Sequence, residues 1–135
     1  MVDCSKVYVQ ESTFSSPDNI FFGVFSNQNI DKGDIVETGI MRRLSDNDNR
    51  CFDGMQNPYV FTWSNDIPNH TWAFASGCAT FYNTSKTANT KMERSFDTDT
   101  FKIVALRDIK KGEELTHTYK SLEWRTAFKE LNETL

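Results

Sequence analysis

Apolar residues in this chain fall in short runs separated by polar, turn-forming stretches, the pattern of many short strands rather than of long helices. Val7-Tyr8-Val9 is a β-branched and aromatic run that ends in the turn-rich stretch Ser12-Thr13-Phe14-Ser15-Ser16-Pro17-Asp18-Asn19. Ile20-Phe21-Phe22-Gly23-Val24-Phe25 reads as the next strand, with Gly23 marking a bend or a close approach by another group. Ile30 to Glu37 predicts a turn at Lys32-Gly33 followed by a strand. The polar stretch from Leu44 to Arg50 predicts a surface loop or the start of a short helix. Tyr59-Val60-Phe61-Thr62-Trp63 and Trp72-Ala73-Phe74-Ala75 are aromatic-rich strand candidates joined by a linker containing Pro68 and Asn69. Lys86 to Asp99 is polar again, and Phe101 to Leu106 is the cleanest strand of the chain. Helical spacing is confined to the tail, where Leu122, Ala127 or Phe128, and Leu131 fall near one face.

One internal echo stands out. Asn29 to Val36 and Asp108 to Leu115 share an isoleucine, a charged turn, a glycine, an acidic residue and an aliphatic. A solitary pair so far apart is no solenoid and predicts two similar strand-turn-strand corners in one β-rich fold.

The length of 135 residues suits a single domain spanning residues 1–135. With 38% hydrophobic and 25% charged residues the chain has enough apolar material for a core, which excludes intrinsic disorder. A net charge of −4 argues against a phosphate-backbone binder and suits a basic peptide. Cys4, Cys51 and Cys78 show no paired spacing, so neither a disulfide framework nor a structural zinc site is expected, and a reducing compartment is. No apolar run approaches membrane-span length and the N-terminus lacks an apolar signal stretch, which predicts a soluble intracellular protein.

From Ile20 to Trp124 the order of landmarks resembles the SET family, particularly its small free-standing viral members. Gly23-Val24-Phe25 is similar to the family's opening Gly-x-Gly-Val segment. Phe81-Tyr82-Asn83-Thr84-Ser85 with Asn89 resembles its Asn-His-Ser motif and downstream Pro-Asn, and Gly112-Glu113-Glu114-Leu115-Thr116-His117-Thr118-Tyr119 resembles its closing Gly-Glu-Glu-Leu-x-x-x-Tyr motif. The departures are Phe21 for the first glycine, Thr84 for the histidine, and Thr87-Ala88-Asn89 without its proline. The resemblance implies a mainly β, β-clip-like fold of several small sheets with a threaded pseudoknot, a short C-terminal helix and no zinc-binding segment after it. It also implies S-adenosylmethionine as cofactor, no metal, and a lysine-bearing protein or peptide as substrate, with a histone tail as one choice. Neither nucleic acid nor membrane is expected as a partner, and homodimerisation is an expectation by analogy.

The resemblance implies roles as well. Tyr119 would stand at the methyl-transfer point; Phe22, Gly23, Tyr82, Asn83 and Trp124 would hold the cofactor; Tyr59, Tyr82 and Tyr119 would line the lysine channel. Methyl transfer from a sulfonium is an in-line displacement in which orientation is the main contribution. The acceptor amine must arrive neutral, which a desolvated channel promotes without a dedicated base. His70 and His117 have no partners in register and read as structural or exposed, and one of Glu113 and Glu114 reads as a solvated turn residue. Two other readings stay open: a sugar-binding or antifreeze-like module sharing the Ile-x-x-Gly-Glu-x-Leu turn, and a SET domain that binds peptide without cofactor.

Overall fold

The structure, a computed structural model, describes residues 1–55, 57–64, 71–119 and 129–134. Its strands are β1 (Val7–Glu11), β2 (Phe22–Ser26), β3 (Ile35–Arg43), β4 (Phe61–Thr62), β5 (Trp72–Ala75), β6 (Asn83–Thr84), β7 (Thr90–Ser95), β8 (Thr100–Ala105) and β9 (Glu114–His117). Two short helices, α1 (Asp46–Cys51) and α2 (Lys129–Thr134), and a 3-10 turn at Ala79–Phe81 complete the described residues. The mainly β architecture with short helices expected from the sequence is the one observed.

The strands form two curled sheets, ordered β1-β2-β9-β6 and β4-β5-β3-β8-β7. Between them lies a core that includes Val24, Ile30, Trp63, Phe101, Ile103, Ile109 and Leu115, all nearly sealed from solvent. β3 departs from simple alternation. A bulge between Ile35 and Glu37 turns both Val36 and Glu37 inward, so a glutamate sits in the core with 1% of its surface exposed.

The echoed segments meet face to face. Ile30 and Ile109 exchange both backbone hydrogen bonds at 2.8 Å, each buried to 3% exposure or less. On either side the contacts repeat with the halves exchanged. Asp108 Oδ1 accepts from Lys32 N, and Asn29 Oδ1 accepts from Lys111 N, both at 2.9 Å. Gly33 N donates to Ala105 O at 2.8 Å and Gly112 N to Ser26 O at 2.7 Å. β3 against β8 and β2 against β9 are the matching antiparallel pairs, so the core is built on a local pseudo-twofold axis through the isoleucine pair.

Three expectations are adjusted. The polar stretch after Lys86 contains β7, whose hydrogen bonds to β8, with Met92 as its one apolar contact to the core, outweigh its mostly polar sequence. The aromatic run from Tyr59 shortens to the two residues of β4. Of the tail, only Lys129–Thr134 is described, and it is helical; Leu122 to Phe128 lie outside the described residues, as do Pro68, Asn69 and His70.

Gly33 and Gly112 share the left-handed conformation, φ +89° and +87°, with open space where a Cβ would sit. Gly33→Ala and Gly112→Ala should therefore each cost about 1–2 kcal/mol through the backbone alone. Urea midpoints should fall by similar amounts with unchanged slopes; a large inequality would contradict the equivalence of the two corners.

Candidate active site

The site is organised by a parallel pairing. β6 runs alongside β9 with Asn83 opposite Thr116 and Thr84 opposite His117. A pairing of two residues on each strand cannot hold this register by itself, and side chains reinforce it. The buried Asn89 accepts from Thr116 N at 2.8 Å and donates to Glu114 O at 2.9 Å and Glu113 Oε2 at 3.1 Å. Thr90 Oγ1 donates to Thr116 O at 2.8 Å and Thr118 Oγ1 to Ser85 O at 3.0 Å, so Ser85 supports the crossing.

Tyr119 emerges from this crossing fixed at both ends. Its backbone N donates to Thr84 Oγ1 at 3.2 Å and its hydroxyl donates to Tyr82 O at 2.8 Å. Thr84, the departure from the family's histidine, thus holds the tyrosine's backbone. Burial pushes the Tyr119 hydroxyl up to about 12, so it stays protonated at neutral pH and cannot act as a base. The Tyr82 ring stacks on His117 at 5.5 Å, and His117 meets the Tyr119 ring edge-on at 5.3 Å.

On the other side of β6, Glu114 gathers β2 and the loop after β1. Its carboxylate accepts from Ser12 Oγ at 2.9 Å, Thr13 N at 2.8 Å, Thr13 Oγ1 at 2.7 Å and Asn83 Nδ2 at 3.1 Å. Asn83 Nδ2 also donates to Phe22 O at 3.0 Å. The close approach foreseen at Gly23 comes from this carboxylate: a Cβ there would stand 2.5 Å from Glu114 Oε2 and 3.1 Å from Asn83 Nδ2. Glycine is therefore required by the network that orients Asn83.

Two cavities meet at Tyr119. One, of about 590 Å³, is lined by Phe21, Phe22, Phe81, Asn83 and Leu131 among others; the second, of about 390 Å³, is walled by Tyr82, Met92, Arg94, Leu106 and His117 among others. Pro58, Tyr59, Thr80 and Tyr119 belong to both walls. Each volume falls within the roughly 300–1,000 Å³ typical of ligand pockets.

The structure thus brings together Phe22, Tyr59, Tyr82, Asn83 and Tyr119. Tyr59 stands at the shared rim, 68% exposed. Tyr82 contributes its ring only, since its hydroxyl donates to Glu37 Oε1 at 2.8 Å inside the core. Gly23 lies against Glu114 and outside both described walls, and Trp124 lies outside the described residues. Glu113 and Glu114 are both engaged, Glu113 with Arg107 at 2.7 Å, which corrects the reading of one as a solvated turn residue. Thr84 and Glu114 had no visible site role because their partners are remote in sequence, and Thr80 enters only as a residue of both cavity walls. The half-buried Arg94, which donates to Thr62 O and lies 5.8 Å from the Trp63 ring centroid, was equally hidden.

The SET domain family model matches residues 22–120. The chain therefore belongs to the SET domain family. A solved Plasmodium falciparum structure, described as a candidate histone methyltransferase, superposes with a TM-score of 0.61 at 19% identity over 85% of this chain and 97% of that one. At that identity the likeness is one of fold. No curated protein matches. Within the described residues no helix is long and apolar enough to cross a membrane.

His117 is fully enclosed, and burial, aided by the Arg94 charge, lowers its pKa to about 4. Between pH 4 and 6.5 the unfolded chain binds a proton that the folded one does not, so this group's stabilisation is lost as pH falls through that window. The shift corresponds to ~3 kcal/mol at most. His117→Phe, which keeps a flat ring for the stack, should flatten the stability profile from pH 6.5 to 4 relative to the unmodified chain. That comparison separates His117 from Glu37, whose pKa is raised by burial and acts in the opposite sense. Parallel profiles would show that His117 does not titrate there.

Proposed function

We propose that this domain transfers a methyl group from S-adenosylmethionine to the side-chain amine of a lysine in a protein substrate, a histone tail being one such substrate. The observation that carries the reading is the meeting of two cavities at the Tyr119 side chain. A two-substrate transfer between large partners needs that arrangement, with donor and acceptor entering from different sides and touching at one point.

The wider cavity fits the cofactor. Its apolar and aromatic wall suits a purine, and Asn83 supplies polarity where an amino-acid group would sit. With Nδ2 committed to Phe22 O and Glu114, the amide is oriented before anything binds, and no described residue donates to its Oδ1. When bound, the cofactor supplies an electrophilic methyl on a cationic sulfur. Phe22 contributes ring surface and Asn83 contributes the oriented amide.

The second cavity takes the lysine chain. Tyr59, Tyr82 and Tyr119 offer ring surface to its methylenes, and a walled channel favours the neutral amine. Because the Tyr119 hydroxyl donates its proton to Tyr82 O, its lone pairs are the feature presented to an incoming N–H. Accepting that N–H turns the amine lone pair toward the methyl group. Tyr119 is thus an orienting acceptor, and no carboxylate base is required.

Tyr119→Phe should reduce transfer of labelled methyl groups to a lysine peptide by at least about a hundredfold, while calorimetric affinity for S-adenosylmethionine stays within a few-fold. An unchanged rate would remove the role. Thr84→Val keeps the shape but loses the acceptor for Tyr119 N, and should lower kcat more than it changes KM for the cofactor. Failure of the unmodified chain to bind S-adenosylmethionine would overturn the proposal in favour of a peptide-binding module.

A further inference from the structure

Cys4 and Cys78, remote in sequence, converge on Glu37. The two thiols and the Glu37 carboxylate present one ligand atom each, all within 4.8 Å of one another. The cluster lies at the junction of the N-terminal segment, β3 and the turn that leads into the Ala79–Phe81 3-10 turn. Neither the transfer chemistry nor the pseudo-twofold core makes use of it.

From this geometry we propose a site for a single thiophilic divalent cation, zinc being the natural occupant, held by Cys4 Sγ, Cys78 Sγ and a Glu37 oxygen with a water completing a tetrahedron. In such a tetrahedron with Zn–S bonds of about 2.3 Å, the two sulfurs stand about 3.8 Å apart. With all three ligand atoms within 4.8 Å of one another, the sulfurs need close by no more than about 1 Å to reach that separation, a change that cysteine χ1 adjustments cover. Glu37 is already prepared as a metal-ligating carboxylate is. Tyr82 O–H donates to Oε1 at 2.8 Å and Cys78 N to Oε2 at 2.9 Å, and each oxygen retains a second lone pair.

Charge is the second argument. Glu37 is 1% exposed, yet among the described residues no Lys, Arg or His pairs with it. The β3 bulge and Gly77 both accommodate it: a Cβ on Gly77, at φ +63°, would lie 2.4 Å from Oε2. A buried carboxylate with neutral donors only is a costly arrangement that a dication reverses. A Cys4–Cys78 disulfide would leave that carboxylate uncompensated. On binding, each thiol releases its proton to solvent as its Zn–S bond forms, and the centre carries one net negative charge. Both cysteines are partly exposed, which leaves an entry path. The bound ion would tie the N-terminal segment to the turn preceding Tyr82 and Asn83.

Cobalt(II) titration of the reduced, chelator-treated full chain tests this. One equivalent should bind with a thiolate-to-cobalt charge-transfer band and the visible absorption of tetrahedral cobalt, and zinc should displace it. The bands should disappear in Cys4→Ser and in Cys78→Ser and persist in Cys51→Ser. Glu37→Gln should weaken binding by about tenfold or more. Zinc should also raise the melting temperature of the unmodified chain and not that of Cys4→Ser, which keeps the result readable if Cys78→Ser fails to fold. No thiolate band in the unmodified chain, or a band that survives in a natively folded Cys4→Ser variant, would overturn the site.

Discussion

The side-chain amide of Asn89 closes the crossing on which the site depends. By accepting from Thr116 N and donating to Glu114 O and Glu113 Oε2, it joins the segment after β6 to β9 and the residue preceding it. β6 and β9 are too short to pair parallel unaided, and parallel pairing between short strands is the weaker kind. Burying a fully bonded amide turns that weakness into a defined register, because any slip would leave buried polar groups without partners. Tyr119, Thr84 and Asn83 inherit their positions from it.

Around that crossing the molecule separates two tasks. On the β2 side, the Glu114 network consumes hydrogen-bonding capacity to aim one amide and hold Phe22. On the opposite side, ring contacts among Tyr82, His117 and Tyr119 form an aromatic part of the wall. The division is the one that the proposed transfer between two partners calls for. The departures from the family pattern are absorbed locally. Thr84 places a compact hydroxyl on Tyr119 N, and Phe21 adds ring surface to the wider cavity's wall, its backbone held by Ser12 N and Ser15 Oγ.

The pseudo-twofold pair of corners explains why a short chain can support this. Ile30 and Ile109 form one sealed contact that anchors both sheets, and the equivalent turns at Gly33 and Gly112 deliver β3 and β9 from the same kind of bend. One corner leads to β3, with the buried Glu37; the other leads to Glu114 and the tyrosine. A repeated structural unit thus carries different chemistry on its two copies.

Much of this was legible in sequence. β-branched and aromatic runs and turn glycines are local features, set by propensity and alternation, so most of the strands and the β-rich class of fold followed from them, whereas Tyr119 and Asn83 entered as site candidates through the resemblance of the Phe81-to-Ser85 and Gly112-to-Tyr119 motifs to the SET family. β7 did not, because its stability comes from pairing with β8 rather than from its own residues. Nor did the roles of Thr84, Glu114 and Asn89, the commitment of the Tyr82 hydroxyl to Glu37, or the meeting of Cys4 with Cys78. Each depends on a partner tens of residues away, and only the closed chain brings such partners within hydrogen-bond or ligand distance. The sequence by itself determined which groups the site has available; the tertiary structure decided which of them face a cavity, because burial and long-range pairing are properties of the packed chain as a whole.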